Sequence, residues 1–295
     1  LIADGHGAGT GPQVAVLMRT DDNAHVQAYA AIRDTLHSVA PEMEINKVDI
    51  SAVDELRLKD ARIVVSLGSL AARTAAERRL SQPVIHSLLP ESAWLALPPR
   101  ARGAAEATAI VLDQPAERQI ALIRQALPEW RRIALLAGSE ASTRRQQLAG
   151  AARSAQLEVR EAIVDVEGDL YPAMQRVLSE PAVLIVTPDA RIFNSYTVQN
   201  VLLTAYRHRS PVLGFSAAYV HAGALLALYS TPAQIGRQTA ELVMRLISGR
   251  PMPPVQSPQY FQVATNLNVA RSLGVTLDSA DVLTATLAKD EKGKP

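Results

Sequence analysis

Six histidines, His6, His25, His37, His86, His208 and His221, are the first candidates for chemistry. No two stand four apart, the spacing that sets a pair of imidazoles on one helix face for a metal. Cysteine is absent, which removes disulfides, thiolate zinc sites, iron–sulfur clusters and thiol nucleophiles together. GxxxxGK[ST], HExxH, an EF-hand pattern and GxSxG are all missing. The nearest approach, Gly214 to Ala218 (GFSAA), lacks the second glycine. The glycine-rich stretch Gly5 to Gly11 precedes the first predicted strand, whereas a phosphate loop must follow a strand and open a helix. The sequence therefore calls for no catalytic residue, no metal and no cofactor.

What remains is a series of small polar clusters: Thr20, Asp21 and Asn23; Ser66, Gly68 and Ser69; His86 and Ser87; Gly138, Ser139 and Glu140; Thr187 and Asp189; Ser216. Such residues bind without covalent chemistry. Backbone N–H groups at helix starts suit a carboxylate, and Asp189 and Glu140 suit an ammonium group. Phe215, Tyr219 and Tyr229 offer faces for an apolar or aromatic moiety. Taken singly, each polar residue also reads as a helix cap, and the aromatics as core. For His86, core packing and ligand contact stand equally open; His25, His37 and His208 read as solvated helix residues.

The elements that must position these groups are short apolar runs alternating with stretches of helical period. Gln13 to Met18, Met43 to Val48, Ile63 to Leu67 and Pro83 to Leu88 read as strands, with helices over Ala24 to Val39 and Leu70 to Leu80. The order then recurs about 120 residues later. Arg132 to Ala137 answers Gln13 to Met18, Val183 to Thr187 answers Ile63 to Leu67, and Pro211 to Ser216 echoes Pro83 to Leu88. Strands alternating with helices imply parallel sheets covered on both faces. Two similar α/β lobes follow, and each polar cluster falls at the carboxyl end of a strand, where open sheets of this kind place ligands.

The chain of 295 residues carries 30 Lys plus Arg against 29 Asp plus Glu, a net charge of +1. That balance gives no field that asks for nucleic acid or an anionic membrane. Hydrophobic residues make up 48% and charged residues 20%, which suits a globular chain with a sizeable core. No apolar run reaches the roughly 18 to 20 residues needed to span a bilayer. The sequence starts at Leu1 instead of Met, which reads as a processed or trimmed form compatible with a removed signal peptide.

Several segments together carry a resemblance. PVLGFSAAYVHAGALLALYSTPAQIGRQTAELVMRLISGRPM contains a Val-x-x-Gly-Ala segment at Val220 to Ala224, a Gly-Arg-Gln helix at Gly236 to Gln238, and a helix end at Ile247 to Gly249. FQVATNLNVARSLGV closes with Asn266 to Gly274. With the middle stretch QPAERQIALIRQALPEWRRIALLAGSEAS, these resemble substrate-binding proteins of ABC importers, in the branch that includes aromatic amino-acid binders. The likeness extends over most of Val14 to Val275.

The resemblance implies a type I periplasmic binding fold: two Rossmann-like lobes joined by a three-segment hinge, closing on a small-molecule ligand. It implies a membrane permease as partner, an extracytoplasmic or periplasmic location, a monomer, and Asp189 as the foremost ligand contact. The expected lobes are 12–112 with about 231–262, and 113–230 with about 263–286. Hinge passages are expected near Leu112 to Gln114, Tyr229 to Thr231 and Ala264 to Asn266, with flexible ends at 1–11 and 287–295. Low aromatic content argues against a sugar and leaves an amino acid or related carboxylate. The alternative is a sensing module on the same fold that signals to a partner without transport.

Overall fold

A computed structural model describes residues 13–53, 58, 60–78, 80–98, 107–139, 142–165 and 167–293. The expected loose end at 1–11 lies outside them. The chain divides into two units: lobe 1 runs up to Val111 and includes Pro232–Gln256, while lobe 2 holds Leu112–Thr231 and continues from Ser257. It therefore passes between units three times.

In lobe 1 five strands, β1 (Val14–Met18), β2 (Ile45–Asp49), β3 (Ile63–Leu67), β4 (Val84–Leu89) and β5 (Ala107–Val111), form one sheet in the order β2-β1-β3-β4-β5. Every pairing in it is parallel. β1, β3 and β5 are buried along their whole length, as strands covered on both faces must be. Ala15, Leu17, Val64, Val84, Ala107 and Ala109 face α2 (Ser69–Glu77) and α3 (Glu91–Leu95), with Ala71, Ala72, Ala75 and Trp94 packed on them. The opposite face carries α1 (Asn23–Val39).

Later in the chain, α9 (Pro232–Ile247) returns to lobe 1 and packs along α1. Gly236 makes that approach possible, because a Cβ there would lie 2.4 Å from the Ala28 carbonyl oxygen. A hydroxyl chain fixes α9 to the sheet: Thr239 donates to the Ile235 carbonyl, and Ser87 on β4 lies 2.8 Å from Thr239 Oγ1.

Lobe 2 repeats the plan. Its strands are β6 (Arg132–Ala137), β7 (Glu158–Ile163), β8 (Val183–Ile185), β9 (Val212–Gly214), β10 (Leu226–Tyr229) and β11 (Gln262–Thr265). They lie in the order β11-β10-β9-β8-β6-β7, with only β11 antiparallel. One face packs α4 (Ala116–Ala126), α5 (Ser142–Ser154) and α11 (Ala280–Lys292); the other packs α6 (Leu170–Val177) and α7 (Val198–Arg207). Two short helices complete the lobe, α8 (Ala217–Ala222) and α10 (Leu267–Leu273).

The chain's close differs from expectation at two places. The third crossing falls at Gln256, not near 262. Gln256 N donates to the Ala109 carbonyl and its own carbonyl accepts from Val111 N, which ties it to the edge of β5. Ala264 to Asn266 accordingly is no hinge passage: it ends β11 inside lobe 2, and Asn266 caps α10. Residues 287–293 of the expected flexible end 287–295 are not flexible either; 294–295 lie outside the described residues. Leu283 and Leu287, one turn apart, are buried in lobe 2, each worth roughly 1.5–3 kcal/mol of burial. One turn on, Glu291 accepts from Arg118 at 2.6 and 2.9 Å. The apolar stripe lies just upstream of the charged tail, so the helix carries the charges with it.

Candidate functional site

Both sheets change the side of their connecting helices beside their first strand, between β1 and β3 in lobe 1 and between β6 and β8 in lobe 2. Such a switch point opens a crevice outside the carboxyl ends of the strands.

In lobe 1 the loop after β1 is held from the end of β2. Thr20 donates its N–H to Asp49 Oδ2 at 3.0 Å and its hydroxyl to the same oxygen, while Ser51 donates N–H and Oγ–H to Oδ1 at 2.8 and 2.5 Å. These donors favour the charged carboxylate and hold Asp49 far below the ordinary range. Asp21 pairs with Arg19 at 2.9 Å in the open, and Asn23 opens α1 with its side chain exposed. The helix cap is Asp22, which accepts from Ala24 and His25 N–H.

His25 is not a solvated helix residue. It is buried at the switch point, where its Nδ1 accepts from Arg19 N–H at 3.1 Å. The ring lies against Gly68, whose φ of 88° few other residues adopt, and a Cβ on Gly68 would stand 2.5 Å from His25 Nε2. Gly68 is the N-cap of α2, and no side chain caps that helix. Ser69, the next residue, is half-buried. The N–H groups of the first turn of α2 thus form an anion-receptive edge beside an imidazole.

Ser66, His86 and Ser87 lie deeper. Ser66 Oγ and His86 Nδ1 are 2.7 Å apart, both buried, and the His86 ring packs on Trp94 with centroids 5.7 Å apart. Burial lowers the His86 pKa to about 4, so the ring is neutral. Ser87 is spent on Thr239. These three groups hold the interior of lobe 1.

In lobe 2 the same loop device recurs: Ser139 N–H donates to Asp165 Oδ1 at 3.0 Å, which holds that carboxyl below its usual value. Glu140 lies outside the described residues. Asp189 is buried and already engaged, since Arg191 donates to it from N–H, Nε and Nη2 at 3.1, 3.2 and 3.2 Å. The guanidinium also overlies Gly138, where a Cβ would meet Nη2 at 3.2 Å. Thr187 is half-buried at the same edge.

Further along lobe 2, Phe215 and Tyr219 pack ring to ring with centroids 4.8 Å apart, and Ser216 opens α8 without capping it. Tyr229 OH donates to Gln262 Oε1 at 3.4 Å. Sequence reasoning missed His25, Asp49, Asp165 and Arg191. The 120-residue displacement carried a signal for the two aspartates, Asp49 as the last residue of β2 and Asp165 just past β7. Nothing in local pattern marks Arg191 or His25. Among the described residues no group of three or more His, Cys, Asp and Glu is arranged to hold a metal.

A family model described as ABC transporter substrate binding protein matches residues 39–288. The chain belongs to this family. The substrate-binding protein has the type I periplasmic binding fold, and solved structures share it at low identity. One is the ABC domain in complex with L-Trp from Streptococcus pneumonia, 19% identical, with a TM-score of 0.64, covering 93% of this chain and 98% of that one. A conserved domain protein from Vibrio cholerae is also 19% identical, with a TM-score of 0.62 and coverage of 94% and 99%.

A third is the ligand-free, open structure of a substrate binding protein with adhesive properties from Clostridium difficile. It is 14% identical, with a TM-score of 0.68 and coverage of 90% and 96%. Among curated proteins no sequence matches significantly. No helix among the described residues of the substrate-binding protein is long and apolar enough to cross a membrane.

Proposed function

We propose that this substrate-binding protein is the solute receptor of an ABC importer, working as a monomer on the extracytoplasmic side. It binds a small polar ligand bearing a carboxylate, an amino acid or related acid, closes on it by hinge motion, and passes it to a membrane permease. The observation that carries the ligand class is the uncapped start of α2, with Gly68 as its N-cap and Ser69 beside it at the carboxyl end of β3. A helix of nine residues whose first N–H groups lack a side-chain acceptor favours an anion there. The L-Trp complex of the streptococcal relative supports a carboxylate-bearing solute of this size. Thr20, Asp21, Asn23 and Ser69 in lobe 1, and Gly138, Ser139, Thr187, Phe215, Ser216 and Tyr229 in lobe 2, are the proposed contacts. Asp189 enters through its pair with Arg191.

Thermal unfolding against amino acids, sugars, nucleobases and carboxylates at about 1 mM tests the reading. A ligand with a dissociation constant near 1 μM stabilises the folded form by about 4 kcal/mol. A shift confined to carboxylate-bearing compounds is expected; a shift confined to sugars or nucleobases overturns the assignment.

A further inference from the structure

His25 is placed by three constraints that nothing in its own helix demands. Its Nδ1 accepts from Arg19 N–H, so the ring proton sits on Nε2. Its Nε2 edge occupies the space a side chain on residue 68 would take, so glycine is required there both for its backbone angle and for room. The residue is 9% exposed, yet no described residue accepts a hydrogen bond from Nε2. Nε2 is not one of the fully buried side-chain atoms that lack a partner, so this tip of the ring reaches solvent at the lobe 1 edge. An oxygen arriving from solvent, a water's or a ligand's, can therefore complete it.

That donor lies against the N-cap of α2, a helix of nine residues whose cap residue, Gly68, has no side chain. Two independent features thus converge on one spot: a run of free backbone N–H groups, and a side-chain N–H aimed at their cap. Both are donors, and both suit the same acceptor.

We propose that His25 is a ligand-reading residue of lobe 1, its Nε2–H donating to an oxygen of a carboxylate seated at the start of α2. The proposal rests on the carboxylate reading above and adds the residue that selects for it. A neutral imidazole suits this role because it adds direction without adding charge. It rejects an ammonium group, which offers no acceptor and would oppose the helix N-terminus. Burial also lowers the His25 pKa, which keeps the ring in its neutral form near pH 7.

The test uses the full-length protein labelled with 15N and sodium acetate as the probe, with sodium chloride at equal ionic strength as control. At pH 7.5 the His25 ring should carry its proton on Nε2. Acetate should move the Nε2 resonance and the Ser69 and Leu70 amides along one saturable curve, with chloride causing no such change. In His25→Leu the acetate response at Ser69 and Leu70 should weaken about tenfold, and in His25→Gln, which keeps a donor, it should partly return. A ring protonated on Nδ1 or on both nitrogens overturns the proposal without reference to any ligand. So does an acetate response at α2 that is equal in wild type and His25→Leu. A solute panel in which only sugars or nucleobases bind, alongside a saturable acetate response at Nε2, would instead sink the amino-acid reading and leave the role of His25 supported.

Discussion

Lobe 1 and lobe 2 use one topology and one loop device, yet their switch-point edges carry different chemistry. Thr20 on Asp49 and Ser139 on Asp165 are the same interaction about 120 residues apart, a carboxylate at or just past the end of the second strand holding the loop after the first. At lobe 1 the loop sits beside a neutral imidazole and a glycine that leave donors unspent. At lobe 2 it sits beneath an arginine already paired with a buried aspartate. The shared part is what the fold needs to fix a loop; the unshared part is what recognition can vary. One edge is poised to accept an oxygen, and the other presents a charge pair whose carboxylate is engaged.

The difference is sharpest at the two glycines. Gly68→Ala forces a Cβ into φ of 88° and against the His25 ring, so it should cost about 3 kcal/mol, strain and steric terms together. Gly138→Ala meets only the tip of Arg191 at 3.2 Å, a flexible end that swings aside for well under about 1 kcal/mol. Denaturant midpoints of the two variants measure this directly. Equal losses would show that the imidazole does not fix the lobe 1 edge.

Next in size is a pH effect that lobe 1 alone should show through His86. Its folded pKa of about 4 lies below the ordinary 6.5, so below pH 6.5 the unfolded chain takes up a proton that the native ring refuses. Stability is therefore full above about pH 6.5 and declines as pH falls toward 4, by about 3 kcal/mol in all. His86→Gln should flatten that window of the stability curve. A wild-type curve already flat between pH 6.5 and 4 would mean the ring is more hydrated than its burial implies.

Much of this plan is legible in the sequence because burial on both faces leaves continuous apolar runs, as in Val14 to Met18 and Ile63 to Leu67, and those runs repeat at fixed displacement. The polar residues after them were legible as a class for the same reason. Their individual roles were not. Ser66, His86 and Ser87 look like edge residues in one dimension, but strand length and helix cover set them inside, and only packing decides that. His25 reads as a helix surface residue because its burial comes from Gly68, more than forty positions away. The tail from 287 misled for the opposite reason: local charge outweighed Leu283 and Leu287, whose apolar stripe belongs to the same helix.

A smaller effect tests the charge pair of lobe 2. With Arg191 in place, Asp189 is engaged by three donors and an ammonium would have to displace a guanidinium. Arg191→Met leaves the buried carboxylate seeking a cation. Affinity for an amine without a carboxylate, tryptamine, should then rise about tenfold, a change of about 1.4 kcal/mol, relative to indole-3-propionate. Calorimetry on both compounds reads the ratio, and an unchanged ratio would remove Arg191 from the determinants of selectivity.

The smallest contrast concerns the loop device itself. Asp49 accepts four hydrogen bonds from two residues, whereas among the described residues Asp165 accepts from Ser139 alone. Asp49→Ala should therefore speed amide exchange at both Thr20 and Ser51, about fivefold, while Asp165→Ala should speed it at Ser139 alone and by less, because fewer local bonds must open. Hydrogen exchange followed residue by residue separates the two. Should Asp165→Ala loosen its loop as much as Asp49→Ala, the loops would be held by something common to both lobes, and the extra hydroxyl bonds of lobe 1 would serve the position of Thr20 at the binding edge and not the stability of its loop.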